Sequence, residues 1–164
     1  MKILVADGVS PKGIEILQKA GFETVIKDKL PAEELLEIIP DFDGLIVRSA
    51  SKVTKEVIER AKKLKIVGRA GVGTDNIDIN AATAHGIMVI NSPGGNTIAA
   101  TEHTMGMMMA MARNIAVANE TMQHGEWNRK KYTGVELRGK TLGVIGLGAI
   151  GGKIANAAVA LGMD

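Results

Sequence analysis

Apolar residues along the chain follow two spacings that alternate from the first residue. Short continuous runs such as Ile3-Leu4-Val5-Ala6 read as buried strands, and five are predicted: Lys2–Asp7, Phe22–Ile26, Phe42–Val47, Lys65–Arg69 and Ile87–Asn91. Between them, apolar positions recur every three or four residues, the period of a helix. Ile14 and Leu17 follow Ser10-Pro11, where serine suits the N-cap and proline the first helical position. Leu35, Leu36, Ile38 and Ile39 follow Pro31, and Val57, Ile58 and Ala61 follow the capping residue Thr54 in a helix expected to run through Leu64. Ile77–His85 reads as a short helix capped by the Asp75–Asp78 cluster. Strand–helix alternation predicts an α/β protein with a parallel sheet covered on both faces. Right-handed crossovers leave a flavodoxin-like doubly wound sheet as the expected topology. Such sheets bind ligands beyond the carboxyl ends of their strands. Those ends carry Asp7-Gly8, Arg48-Ser49, Arg69-Ala70-Gly71 and Asn91-Ser92-Pro93, and two arginines at neighbouring ends point to an anion.

The pattern changes after Ser92–Asn96, a Pro/Gly-rich turn that reads as a boundary and hinge. Thr97–His124 keeps a helical period through Ile98, Thr101, Met105, Met108, Met109, Ala112, Ile115 and Ala116, and is predicted as one long helix. Its methionine-rich stripe is read as a buried seam, packing on its own domain and on a partner subunit. Thr141–Leu161 then gives an apolar run, Leu142–Ile145, a glycine turn, Gly146-Leu147-Gly148-Ala149-Ile150-Gly151, and an alanine-rich helix. Strand, G-x-G-x-x-G and helix in that order predict the first strand-turn-helix of a Rossmann dinucleotide-binding domain. Gly146 makes the tight turn, Gly148 admits a pyrophosphate, and Gly151 lets helix and strand pack closely. The helix start offers free N–H groups and a positive dipole end to the phosphates. An acidic residue that holds the ribose is expected about 20 residues beyond such glycines. Asp164 comes too early for it, so the chain is expected to hold the start of that domain with no second strand. A lone strand and helix predict a tight oligomer, a rearranged segment or disorder near the C-terminus.

Composition narrows the function. The 164 residues are 46% apolar and 23% charged, with 20 glycines, 2% aromatics and no cysteine. Disulfide scaffolds and thiolate metal sites are excluded, and the Asp75–Asp78 cluster lacks calcium-loop spacing. No metal site is expected. A net charge of +2 gives no reason to expect a nucleic-acid partner. No apolar run approaches the ~20 residues of a membrane span, and MKILVADG does not read as a secretory signal. A cytoplasmic location is expected.

Several blocks in one order carry a resemblance. They are Arg48-Ser49-Ala50-Ser51-Lys52-Val53-Thr54, Val67–Asp78 (VGRAGVGTDNID), Asn91–His103 (NSPGGNTIAATEH), Gly125-Glu126-Trp127 and Gly139–Gly151 (GKTLGVIGLGAIG). The whole chain resembles the D-isomer-specific 2-hydroxyacid dehydrogenases, most of all members that oxidise 3-phosphoglycerate to 3-phosphooxypyruvate at the head of serine biosynthesis. A glyoxylate or hydroxypyruvate reductase is the alternative within the family. The resemblance implies a substrate-binding domain over residues 1–96. Residues 97–164 would then hold a linking and dimerisation helix, an arm and the start of an NAD-binding domain. It implies NAD as cofactor, held at Gly146, Gly148, Ala149, Ile150 and Gly151. The substrate carboxylate is expected on backbone N–H groups around Val72 and Gly73, and Asn96 at the reacting end. Arg48, Ser49 and Arg69 are expected to favour a phosphorylated 2-hydroxy acid, because guanidinium forks match phosphate oxygens. Arg129 and Lys130 lie where the family's subunit arm brings charge to a neighbour's site, so a homodimer or higher homo-oligomer is implied.

Two departures stand out. Many members have arginine where this chain has Ala149, so pyrophosphate binding here rests on backbone N–H groups with one charge-assisted bond fewer. The family's catalytic arginine, histidine and carboxylate lie beyond the glycine turn. None of His85, His103 and His124 matches the acid/base position, so no catalytic residue is assigned. The chain alone is expected to be inactive, a module that binds an anion and dimerises without turnover.

Overall fold

The computed structural model describes all residues from Met1 to Asp164. Five strands, β1 (Lys2–Val5), β2 (Glu23–Ile26), β3 (Gly44–Val47), β4 (Ile66–Arg69) and β5 (Met88–Ile90), form one sheet. Its order is β2-β1-β3-β4-β5 and every pair is parallel. This is the flavodoxin-like order expected from the alternation. The crossovers are α1 (Pro11–Lys19), α2 (Ala32–Ile38) with a 3-10 turn at Ile39–Asp41, α3 (Lys55–Arg60) and α4 (Ile79–Ala84).

Local chemistry starts these helices where the sequence places it. Ser10 and Thr54 accept from the amides of Gly13 and Val57, and Asp78 accepts from Ala81 at 2.9 Å. α3 stops at Arg60 instead of Leu64. Ala61 takes a non-helical ψ of 69°, and Leu64 is buried from the turn that follows.

Register builds the core. Val25, Leu4, Leu45, Val67 and Val89 stand in one row across the sheet. Leu35, Ile39, Val57, Ile58, Ala81 and Ala82 close over that face. The opposite face departs from the expected double cover. Ile3 and Val5 are buried there, but Met88 and Ile90 on the edge strand β5 remain 61% and 49% exposed.

The chain divides into two compact units, Met1–Gly95 and Asn96–Asp164. In the second, the expected single helix is two, α5 (Thr97–Ala112) and α6 (Ile115–Gln123). Asn114 between them sits in the left-handed region at φ 55°. The cause is tertiary. The Ala112 carbonyl, which α5 would offer to its next turn, accepts instead from Val135 at 2.8 Å. Gly134 lies so close to Ala112 and Arg113 that it has no room for a side chain. Along the methionine stripe only Met105 is buried, while Met107, Met111 and Ile115 are exposed.

The last segment also differs from expectation. Leu142–Ile145 belongs to no strand, because no neighbouring backbone bonds Gly143–Ile145. Pairing occurs one step earlier. Asp164 donates to the Lys140 carbonyl at 2.9 Å and accepts from Leu142 at 2.7 Å, the hydrogen-bond pattern of a parallel bridge. The chain has therefore already turned back after α7 (Ala149–Ala160) to pair in parallel, and Asp164 does not end a helix. α7 is formed and packs on α5, so the segment is not rearranged.

Candidate functional site

Within the first unit, the carboxyl ends of β1, β3 and β4 bring the predicted residues together. Val47 of β3 is in register with Arg69 of β4, so Arg48 leaves the sheet one residue past the row of Arg69. Neither arginine meets a carboxylate. The Arg48 side chain is exposed and reaches the Gly8 carbonyl through Nη1 at 3.4 Å. Arg69 folds back over Gly71, where any Cβ would collide with its guanidinium. Its Nε is buried without an acceptor. Ser49 is exposed beside Arg48.

The loop after β4 presents main-chain donors. Asn91 donates to the Val72 carbonyl at 2.6 Å, and Ser92 to the Gly71 carbonyl at 2.9 Å. The amides of Val72 and Gly73 donate to no protein acceptor. Carbonyls are thus tied down while amides are left free, which suits an anion. Gly73 is close to Asp75, whose Oδ1 would lie 2.8 Å from an added Cβ.

In sequence, Asp7-Gly8 stands out only as a strand end and Asn76 only as part of a helix cap. Asp7 is 4% exposed. Its Oδ2 accepts from the amides of Arg48 (2.6 Å) and Ser51 (3.1 Å), and its Oδ1 from the Ser51 hydroxyl (2.9 Å). Asn76 Nδ2 donates to the carbonyls of Arg48 and Ser51 at 2.7 and 2.6 Å. The Arg48–Ser51 turn is gripped from both sides. A polar residue at a strand's carboxyl end was the only sequence signal for Asp7.

The second unit holds the rest. Asn96 is the N-cap of α5, is exposed and makes no capping bond. The glycine corner is bent as required. Gly146 has φ 92°, a conformation costly for other residues. Gly148 is the N-cap of α7 and would have open space around a Cβ. A Cβ at Gly151 would run into the Gly146 carbonyl oxygen, so helix and turn touch there. No side chain caps α7, and the amides of Gly148, Ala149, Ile150 and Gly151 have no protein acceptor. These features fit a diphosphate: an open approach, uncapped donors and a helix dipole.

None of the three histidines is near such donors by sequence. His85 and His124 sit at helix C-caps, with Nδ1 2.9 Å and 2.8 Å from the carbonyls of Ala81 and Glu120. His103 lies within α5. The arm residues Trp127, Arg129 and Tyr132 line a 280 Å³ hollow with Thr121 and Met122. No helix is long and apolar enough to cross a membrane.

A flavodoxin-like sheet followed by a glycine corner defines a class, and the comparisons agree. The family profile for the D-isomer specific 2-hydroxyacid dehydrogenase catalytic domain matches residues 3–152, and the chain belongs to that family. Among curated proteins it is similar to the D-3-phosphoglycerate dehydrogenases of Archaeoglobus fulgidus (51% identical) and Methanocaldococcus jannaschii (53%), each over the whole chain. The chain spans 31% of the length of each of these relatives. Among solved structures, the TT0316 protein of Thermus thermophilus superposes with a TM-score of 0.93 at 33% identity, covering 99% of this chain and 54% of that one. NAD+-bound 3-phosphoglycerate dehydrogenase of Entamoeba histolytica superposes with a TM-score of 0.80 at 37% identity, covering 100% and 52%.

Proposed function

We propose that these residues serve NAD-dependent oxidation of 3-phosphoglycerate to 3-phosphooxypyruvate, the entry to serine biosynthesis, within a longer cytoplasmic enzyme. The observation that carries this reading is the placement of Arg48 and Arg69 at adjacent strand ends without a carboxylate partner. Two neighbouring guanidinium groups without a carboxylate partner suit a phosphate. Relatives of about half-identical sequence named for 3-phosphoglycerate support it.

The free amides of Val72 and Gly73 receive the substrate carboxylate, Ser49 assists Arg48, and Asn96 orients the reacting end. NAD supplies the hydride acceptor for this chemistry. Gly146, Gly148, Ala149, Ile150 and Gly151 hold its diphosphate through backbone N–H groups alone, since Ala149 brings no charge. The apolar face of α5 and α6 (Met107, Met111 and Ile115) serves self-association, with Arg129 and Lys130 extending charge from the arm.

Hydride transfer requires a group within hydrogen-bond reach to take the hydroxyl proton, and the family resemblance assigns that role to none of His85, His103 and His124. His85 and His124 are bonded to helix carbonyls instead. By itself the chain binds anions without turnover, and an absorbance assay with 3-phosphoglycerate and NAD yields no NADH. In the whole enzyme, replacing Arg48 and Arg69 with alanine raises KM for 3-phosphoglycerate by about 100-fold, as expected for two lost charge-assisted contacts. It alters kinetics on an unphosphorylated 2-hydroxy acid far less. Equal losses on both substrates would refute the phosphate assignment.

A further inference from the structure

The turn that carries Arg48 is held by a network the proposed reaction does not use. Asp7 is buried and faces no cation. A carboxylate taken out of water needs compensating donors, and Asp7 receives three, all from the Arg48–Ser51 turn. Asn76 bonds two carbonyls of the same four residues. Val53, just beyond, donates to the Asn76 carbonyl at 2.8 Å and accepts from Asp78 at 2.9 Å. The amides and carbonyls of Arg48 and Ser51, at the two ends of the turn, are therefore fixed, while the Arg48 and Ser49 side chains stay exposed. Gly8, next to Asp7, takes the Arg48 guanidinium on its carbonyl. The end of β1 thus holds Arg48 at both backbone and side chain.

We infer that Asp7, with Asn76 as counter-clamp, is the positioning residue of the anion site: its buried carboxylate fixes the Arg48–Ser51 turn so that Arg48 is preorganised for a phosphate group. Binding then costs little reordering of a long side chain. Asp7 acts through the turn that carries Arg48 and the Ser49 that assists it. The inference rests on Arg48 as a phosphate contact.

The test titrates the 164-residue chain with 3-phosphoglycerate and with D-glycerate, followed by NMR, alongside thermal melts. Asp7→Ala weakens 3-phosphoglycerate by about tenfold, the scale of one displaced charge-assisted bond, and changes D-glycerate by less than about twofold. Asp7→Asn restores affinity, because its carbonyl accepts both amides and its NH2 donates to the Ser51 hydroxyl. The double variant with Arg48→Ala binds no more weakly than Arg48→Ala alone, the signature of residues acting as a unit. Should Asp7→Ala fail to fold, Asn76→Ala, at a half-buried position, gives the same comparison. A lowered melting temperature with phosphate affinity intact, or additive losses in the double variant, overturns the inference and leaves the Arg48 assignment standing. If Arg48→Ala itself leaves phosphate affinity unchanged, the site reading fails and the inference fails with it.

Discussion

Two glycines show how one missing side chain serves different ends. At Gly151 the obstacle to a Cβ is the Gly146 carbonyl oxygen, part of a rigid corner. At Gly71 it is the tip of the Arg69 side chain, which can swing away. Gly151→Ala must therefore deform the corner, while Gly71→Ala has only to displace a guanidinium. The expected outcome is a split. Gly151→Ala lowers stability by about 1–3 kcal/mol, the usual cost of overpacking, and weakens NAD. Gly71→Ala leaves the melting temperature nearly unchanged but weakens phosphorylated ligands. Thermal melts and titrations with both ligands check this, and equal destabilisation by the two substitutions would contradict it. The G-x-G-x-x-G spacing made the role of Gly151 legible in sequence. The role of Gly71 was not, because it depends on where a flexible arginine comes to rest. Asp7 was hidden for a related reason: its partners are 41 and 44 residues away, and only the β1–β3 pairing brings them together.

Elements were legible where their causes are local. Ser10, Thr54 and Asp78 cap helices by bonding amides three residues on, so a short window contains the whole reason. The break at Asn114 lacks that property. Ala112, Arg113, Asn114 and Ile115 continue the apolar period without a proline or glycine, and the interruption comes from Gly134 and Val135 packing on the helix end. The run Leu142–Ile145 failed as a strand because strands are defined by partners, which periodicity does not report. At the amino end of the sheet, Asp43 ties three strands. Its side chain accepts from the Lys2 amide at 2.8 Å, its amide donates to the Lys2 carbonyl, and its carbonyl accepts from the Lys65 amide. The Lys2 amide bond holds its carboxyl below the ordinary 3.8; partial burial opposes this, and the Lys65 ammonium at 3.4 Å adds to the lowering. A lowered folded pKa stabilises above the unfolded value and loses that contribution as pH falls through the folded one. Asp43→Asn is therefore less stable than the parent above about pH 4, with the gap closing at lower pH. Denaturant melts from pH 6 to pH 2.5 measure it, and a gap independent of pH would rule out the ionised carboxylate as its source.

Across the molecule, burial is distributed unevenly between the two units. Of the buried apolar residues, only Met105, Ala158 and Met163 lie beyond Gly95. The continuous core from Leu4 to Ile87 belongs entirely to the first unit. A second unit of residues 96–164 carries apolar side chains in quantity, but Ile98, Met107, Met111, Ile115, Val117, Met122, Ile145 and Leu147 are all more than 40% exposed. Folding must offset roughly 1–2 kcal/mol of backbone entropy per ordered residue, and burial is the main source of that offset. The first unit has a complete five-stranded sheet with one face filled, within the size range of domains that fold alone. The second has α5 against α7 and one bridge at Asp164. Cutting after Gly95 should therefore yield two unlike pieces. Residues 1–95 are expected to unfold cooperatively on heating, with a sigmoidal circular-dichroism transition. Residues 96–164 alone are expected to lose helix gradually at low concentration and to gain it only on self-association, which sedimentation at several concentrations would detect. A cooperative, concentration-independent melt of 96–164 would mean that this unit draws its stability from within. The exposed methionine face would then no longer imply a need for covering, and its assignment to self-association would fall with it.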